Sequence, residues 1–208
     1  MMKKYSYLSL GDSYTIGEQV SKQDCFPYQT VTLLNKTADG AESRRQGFDD
    51  PQIIAKTGWT TDELNAAIDA VGIVKQYDVV SLLIGVNNQY RGRSVEDYKA
   101  EFEGLLNRAA GFAGNNKDHV FVISIPDWGV TPFAAGRDVE EIARQIDAYN
   151  IAAKKICEAK QIVFIDITTE QRKDGNKDEF LAEDKLHPSA KEYAKWAQLL
   201  ANAVKKII

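Results

Sequence analysis

Hydrophobic positions along this chain repeat with two periods, one of strands and one of helices. Residues 5–10, Tyr5-Ser6-Tyr7-Leu8-Ser9-Leu10, alternate with a period of two, which predicts a first strand ending at Gly11. Residues 26–34 read as a helix. Residues 35–50 are polar, contain glycine and carry no usable period, and a short second strand is expected over residues 52–56, after Pro51. Thr60 and Glu63 match a capping box, in which a hydroxyl and a carboxylate each satisfy an orphan backbone donor, and Leu64, Ala67, Ile68 and Val71 continue it as an apolar stripe. Residues 78–84, Asp-Val-Val-Ser-Leu-Leu-Ile, are almost continuously apolar, as in a central parallel strand covered on both faces. Ser94 then caps a helix carrying Tyr98, Phe102, Leu105 and Leu106.

Residues 120–125 form a fourth apolar run. The long helix over 139–160 places Ile142, Ile146, Tyr149, Ala153 and Ile156 at spacings of four and three, and residues 161–165 give a fifth strand. Ser189 and Glu192 match a second capping box, ahead of a helix whose buried face is Tyr193, Trp196, Leu200, Val204 and Ile207. Strands alternating with helices imply right-handed crossovers, hence an α/β protein with a five-stranded parallel sheet between helix layers. No repeat or linker interrupts the pattern, so residues 1–208 are expected to form a single domain.

Composition removes several function classes. A formal charge of -4, from 26 basic and 30 acidic residues, leaves no global basic field for nucleic acid or an anionic membrane. The two cysteines, Cys25 and Cys157, lie far apart and outside C-x-x-C spacing, so neither a disulfide framework nor a zinc site is indicated. Met1-Met2-Lys3-Lys4 resembles a signal n-region, but residues 5–10 are too short and serine-broken for an h-region, and no run reaches membrane-spanning length. A cytoplasmic protein without a membrane span is the expectation.

In open parallel sheets ligands bind outside the carboxyl ends of the strands. Taken in order, those ends carry Gly11-Asp12-Ser13, Thr57-Gly58-Trp59, Gly85-Val86-Asn87-Asn88, Pro126-Asp127-Trp128 and Asp184-Lys185-Leu186-His187. Ser13 is the candidate nucleophile, and His187 the candidate base, since imidazole can take a hydroxyl proton and return it to a leaving group. The only other histidine, His119, precedes the fourth strand at the opposite end of the sheet and reads as a strand-entry residue. Asp184 lies three residues before His187, near enough on one turn to orient the ring. Pro188 and Ser189 stiffen the backbone after it. The Ser13 amide, the Gly58 amide and the Asn87 carboxamide are candidate oxyanion donors. Gly58 serves equally well as a turn glycine before Thr60, and Asn87 as a turn former.

These blocks resemble the SGNH hydrolases, also called GDSL-type esterases and lipases. Gly11-Asp12-Ser13 resembles the nucleophile block, Gly58 the glycine of the second, Gly85-Val86-Asn87 the Gly-x-Asn of the third, and Asp184 to Pro188 the Asp-x-x-His of the last, so that the likeness spans residues 5–190. The resemblance implies a flavodoxin-like three-layer α/β/α fold, a Ser13–His187–Asp184 triad, and an oxyanion hole from the Ser13 amide, Gly58 and Asn87. It implies hydrolysis of carboxylic esters (small acyl, lipid or acetylated-sugar esters) without metal or organic cofactor, on a small-molecule substrate. Tyr14 stands where the family's usual leucine follows the serine, and Asn88 where an aspartate commonly follows the asparagine.

Tyr14, Trp59, Tyr90 and Trp128 are the expected substrate-binding aromatics, with Phe133 nearby and Arg91 and Arg93 available to an anionic substrate or to solvent. The long polar stretch 166–184 suggests a mobile loop or lid. A different class of reading makes residues 11–17 a phosphate-binding loop of a non-catalytic, flavodoxin-like binder, although the chain has neither G-x-G-x-x-G nor G-K-[ST]. A metal site on Asp184 and His187 would have no second well-placed histidine.

Overall fold

In the computed structural model, which describes residues 3–36 and 46–208, the first apolar run is divided at Ser6. β1 (Lys3–Tyr5) leaves the main sheet, and β2 (Tyr7–Gly11) enters it. The break has a local cause: the Ser6 N–H and hydroxyl both donate to Asp78 Oδ2, at 2.8 and 2.9 Å, taking that residue out of a ladder. β1 pairs in parallel with β3 (Gln46–Phe48), at the end of the stretch without a period, and residues 37–45 of that stretch lie outside the described residues. Three-residue strands are too short to declare a period.

The main sheet adds β4 (Gln52–Ala55), β5 (Val79–Leu83), β6 (Val120–Ile123) and β7 (Val163–Ile165), all parallel, in the order β4-β2-β5-β6-β7. Counted along the chain this is the order 2-1-3-4-5 of flavodoxin-like folds, with its switch point between β2 and β5. The expected five-stranded parallel sheet is found. The helices are α1 (Ser13–Ile16), α2 (Phe26–Leu34), α3 (Thr61–Val71), α4 (Val86–Tyr90), α5 (Val95–Phe112), α6 (Val139–Lys160), α7 (Thr168–Asp174) and α8 (Ala190–Val204). The sheet is flanked by two groups: α2 packs on α8, while α5 packs on both α3 and α6. β2, β5 and β6 are buried along their whole length, so the centre of the sheet is the core.

Two local expectations need correcting. At α8 the Ser189 hydroxyl donates instead to the Glu179 carbonyl, 2.7 Å, and Glu192 is buried, accepting from Trp196 Nε1 at 3.0 Å. Tertiary partners outbid the local capping box there, whereas at α3 Glu63 does accept the Thr60 N–H, at 2.9 Å. The stretch 166–184 is also no bare loop, since it holds α7 and a 3₁₀ turn at Asp178–Phe180. Asp166 accepts the Thr169 N–H, 3.1 Å, and starts the helix. Arg172 pins it with ion pairs of 2.8 Å to both Asp127 and Asp147. No described helix is long and apolar enough to cross a membrane.

Candidate active site

β2 ends at Gly11, where nothing larger fits: a Cβ there would run into Thr15 Oγ1 and the Leu83 carbonyl oxygen. The chain then turns at once into α1, where Asp12 accepts the Tyr14 N–H at 3.0 Å, and Ser13 takes the first helical position. Its N–H is therefore one of the donors that a helix start leaves without an intrahelical acceptor. The turn puts Ser13 beside the switch point, across from the end of β5.

His187 arrives from the other side of the site on a tight excursion. The Ala182 N–H donates to the His187 carbonyl at 2.8 Å, Leu181 bridges Pro188, and the Phe133 N–H reaches the Lys185 carbonyl at 3.3 Å, so the turn is tied at both flanks. His187 Nε2 lies 3.0 Å from Ser13 Oγ, and its Nδ1 lies 2.5 Å from Asp184 Oδ2. The other Asp184 oxygen accepts the backbone N–H groups of Leu186 and His187, at 3.0 and 2.9 Å. Burial works to raise the Asp184 carboxyl, but the imidazole and the two backbone donors outweigh it and hold it below the ordinary aspartate value. A hydroxyl, a ring and an ionised carboxylate thus stand in series, the layout that makes a serine nucleophilic. His119 is elsewhere, its Nδ1 against the Asp78 carbonyl at 2.6 Å.

Asp12, one residue before Ser13, is fully buried, and its Oδ2 has no partner. Burial pushes its carboxyl up to about 7, against the opposing pull of the backbone N–H bonds from Tyr14 and from Asp12 itself. The folded chain therefore holds a proton that the unfolded chain releases near 3.8. The stability this confers is complete below about pH 4, is lost as pH rises to about 7, and changes no further above that. Measured by urea unfolding, the wild type should lose up to about 4 kcal/mol relative to Asp12→Asn across that window. A difference between the two proteins that stays flat from pH 4 to 8 would show that Asp12 does not titrate there.

Two further donors face the same space. Gly58, at φ +84°, adopts a backbone conformation that side chains disfavour. Its carbonyl accepts from Arg91 Nη2 at 2.6 Å, and its N–H donates to no described group. Asn87 spends one amide hydrogen on the Trp59 carbonyl, at 3.0 Å, which fixes the carboxamide and leaves the second hydrogen for a ligand. Asn88, in place of an aspartate, is fully buried and exchanges hydrogen bonds with Thr61: the Thr61 N–H to Oδ1 at 3.1 Å, and Nδ2 to Thr61 Oγ1 at 2.6 Å. It ties α4 to α3 and so supports both donors from behind.

Ser13, Tyr14, Thr57, Gly58, Val86, Asn87, Tyr90, Trp128, Phe133, Leu186 and His187 enclose a cavity of about 200 Å³. Of the expected aromatics, Tyr14, Tyr90 and Trp128 line it and Trp59 does not. After the positive-φ turn at Gly58 the Trp59 ring packs on the core instead, and only its carbonyl serves the site. Phe133, expected nearby, is also a wall. Arg91 and Arg93 are not walls of the cavity: each faces a carboxylate, Arg91 Glu63 at 3.3 Å and Arg93 Asp62 at 2.6 Å, and the Arg93 pair draws Asp62 down to about 2.

Sequence reasoning missed the residues that hold Trp128. Gln89 accepts from its Nε1 at 2.8 Å and donates to Gln145 at 2.7 Å, and Asp127 accepts the Gly129 N–H at 2.8 Å. Gln89 directly follows Asn88 within α4, and nothing in its spacing marks it as buried. Among the described residues no group of three or more His, Cys, Asp or Glu is disposed to hold a metal.

Fold and site together define an α/β/α hydrolase with its serine at the switch point of a flavodoxin-like sheet. The family description for GDSL-like lipase/acylhydrolases matches residues 9–195, and the chain belongs to that family, a family of ester hydrolases. No curated protein is matched by sequence. Among solved structures, the chain is similar to a lipase/acylhydrolase from Enterococcus faecalis, with 20% identity, 99% of this chain and 96% of that chain covered, and a TM-score of 0.73. It is also similar to the acetylxylan esterase Axe2 from Geobacillus stearothermophilus, at 18% identity, 98% and 95% coverage and TM-score 0.71. The esterase EstA from Pseudoalteromonas sp. follows at 16% identity, 97% coverage of each chain and TM-score 0.68.

Proposed function

We propose that the protein is a single-domain serine esterase that hydrolyses small-molecule carboxylic esters through an acyl-enzyme, in the cytoplasm and without a cofactor. The observation that carries the reading is the 3.0 Å approach of His187 Nε2 to Ser13 Oγ, with Asp184 behind the ring. Ser13 Oγ attacks the ester carbonyl while His187 Nε2 takes its proton. The carbonyl oxygen becomes an oxyanion held by the N–H groups of Ser13 and Gly58 and the free amide hydrogen of Asn87. Asp184 keeps the Nδ1 proton in place and offsets the charge on the imidazolium. The intermediate collapses, the C–O bond breaks, and His187 returns the proton to the departing alcohol. Water then attacks the acyl-Ser13, again giving its proton to His187, and the carboxylic acid leaves with Ser13 restored.

A cavity of about 200 Å³ walled by Tyr14, Val86, Tyr90, Trp128, Phe133 and Leu186 suits a short acyl group better than a long chain. Treatment with a fluorophosphonate should label Ser13 and stop turnover, and the specificity constant for aryl esters should fall beyond butyrate. Folded protein that takes up no label and turns over no short acyl ester would favour the phosphate-binding alternative for residues 11–17.

A further inference from the structure

Arg137 is the exception among the described arginines. Arg91, Arg93, Arg108, Arg144 and Arg172 each pair with a carboxylate. Arg137 pairs with none among the described residues. Its guanidinium carbon instead lies 5.4 Å from the Tyr90 ring centre and 5.3 Å from that of Trp128, and its one hydrogen bond runs from Nη2 to the Tyr90 hydroxyl at 3.3 Å. Both rings are walls of the Ser13 cavity, and they meet edge to face at 5.2 Å. Arg137 itself is exposed and is not among the cavity walls, but it stacks on two residues that are.

A guanidinium is weakly hydrated, always charged, and stacks on aromatic faces at little cost. Stacking restricts its rotamers before any ligand arrives, so less entropy is lost when its fork closes on one. Five N–H donors are present and one is used within the protein. The remaining donors suit a planar or tetrahedral oxyanion. We infer that Arg137 determines specificity by binding a carboxylate or phosphate carried on the part of the ester that projects from the cavity. The inference rests on the esterase reading and names the substrate class of the same site: small esters with an anionic group beyond the reacting carbonyl. Arg91 and Arg93, the arginines favoured by position in the sequence, already face Glu63 and Asp62, whereas Arg137 faces no carboxylate among the described residues.

The test compares 4-acetoxybenzoate and 4-acetoxyphenyl phosphate with the neutral 4-acetoxybenzamide, in wild type, Arg137→Gln and Arg137→Lys. The readout is the ratio of kcat/KM for each anionic ester to that for the amide, because a change that only loosens the aromatic wall would move all three substrates together. The ratio should fall about tenfold in Arg137→Gln, chiefly through KM, and recover only in part in Arg137→Lys, which restores charge without the fork. The arm that falls further names the anion. In the wild type alone, high salt should erode the ratio. Equal ratios in wild type and Arg137→Gln, or a wild-type ratio indifferent to salt, would overturn the role of Arg137 while leaving an esterase that hydrolyses the amide-bearing ester. Failure of all three esters together with an unlabelled Ser13 would overturn both readings.

Discussion

Replacing His187 by alanine should lower kcat on a short acyl ester by about 10⁶-fold, and adding Ser13→Ala to it should cost almost nothing more. On the proposed mechanism the two residues share one proton. Without Nε2 at 3.0 Å the serine hydroxyl stays protonated, and without Oγ the imidazole has nothing to deprotonate. On the proposed mechanism the residual rate would come from the Gly58, Asn87 and Ser13 donors, which neither change removes. His119 cannot substitute, being held at the Asp78 carbonyl near the opposite end of the strands. The backbone of His187 keeps its bond to Ala182 whatever its side chain, so the variant should unfold at close to the wild-type temperature. Losses that multiply in the double variant, or a single loss below about a hundredfold, would separate the two residues mechanistically.

Most of the groups that meet at this site were readable in the sequence because they stand at strand ends, where a hydrophobic period stops. Ser13, Gly58 and Asn87 follow β2, β4 and β5 by a few residues, so the register of a parallel sheet carries them to one edge, while Asp184 and His187 come after α7 and a 3₁₀ turn and are placed by the tied turn rather than by a strand. Side-chain direction was not readable. Trp59 and Phe133 are both expected around the site, yet only Phe133 lines the cavity, while the Trp59 side chain packs on the core after the positive-φ turn at Gly58. Charge partners were equally hidden, since Arg91 and Arg93 look free until α3 brings Asp62 and Glu63 beside them. Glu192 follows Ser189 at capping-box spacing, yet the pull of Trp196 Nε1 inside the core prevails. Local spacing states what a residue can do, and long-range packing decides what it does.

Asp184→Asn should reduce kcat by about 10⁴-fold with little change in KM, and the geometry gives a reason beyond loss of charge. Asp184 Oδ1 already accepts two backbone N–H groups, from Leu186 and His187. An asparagine must keep its carbonyl oxygen there, because the flipped amide would set its NH₂ against two donors. Its nitrogen then faces His187 Nδ1 and needs that atom as an acceptor, which forces the ring proton onto Nε2. Nε2 then points an N–H at Ser13 and cannot receive the hydroxyl proton. The turn itself should survive, since both backbone bonds are retained, so thermal unfolding serves as the control. NMR of the labelled ring reads the tautomer directly: the proton should sit on Nδ1 in the wild type and on Nε2 in the variant. A variant with the Nδ1 tautomer and a loss of less than tenfold would remove Asp184 from control of the imidazole.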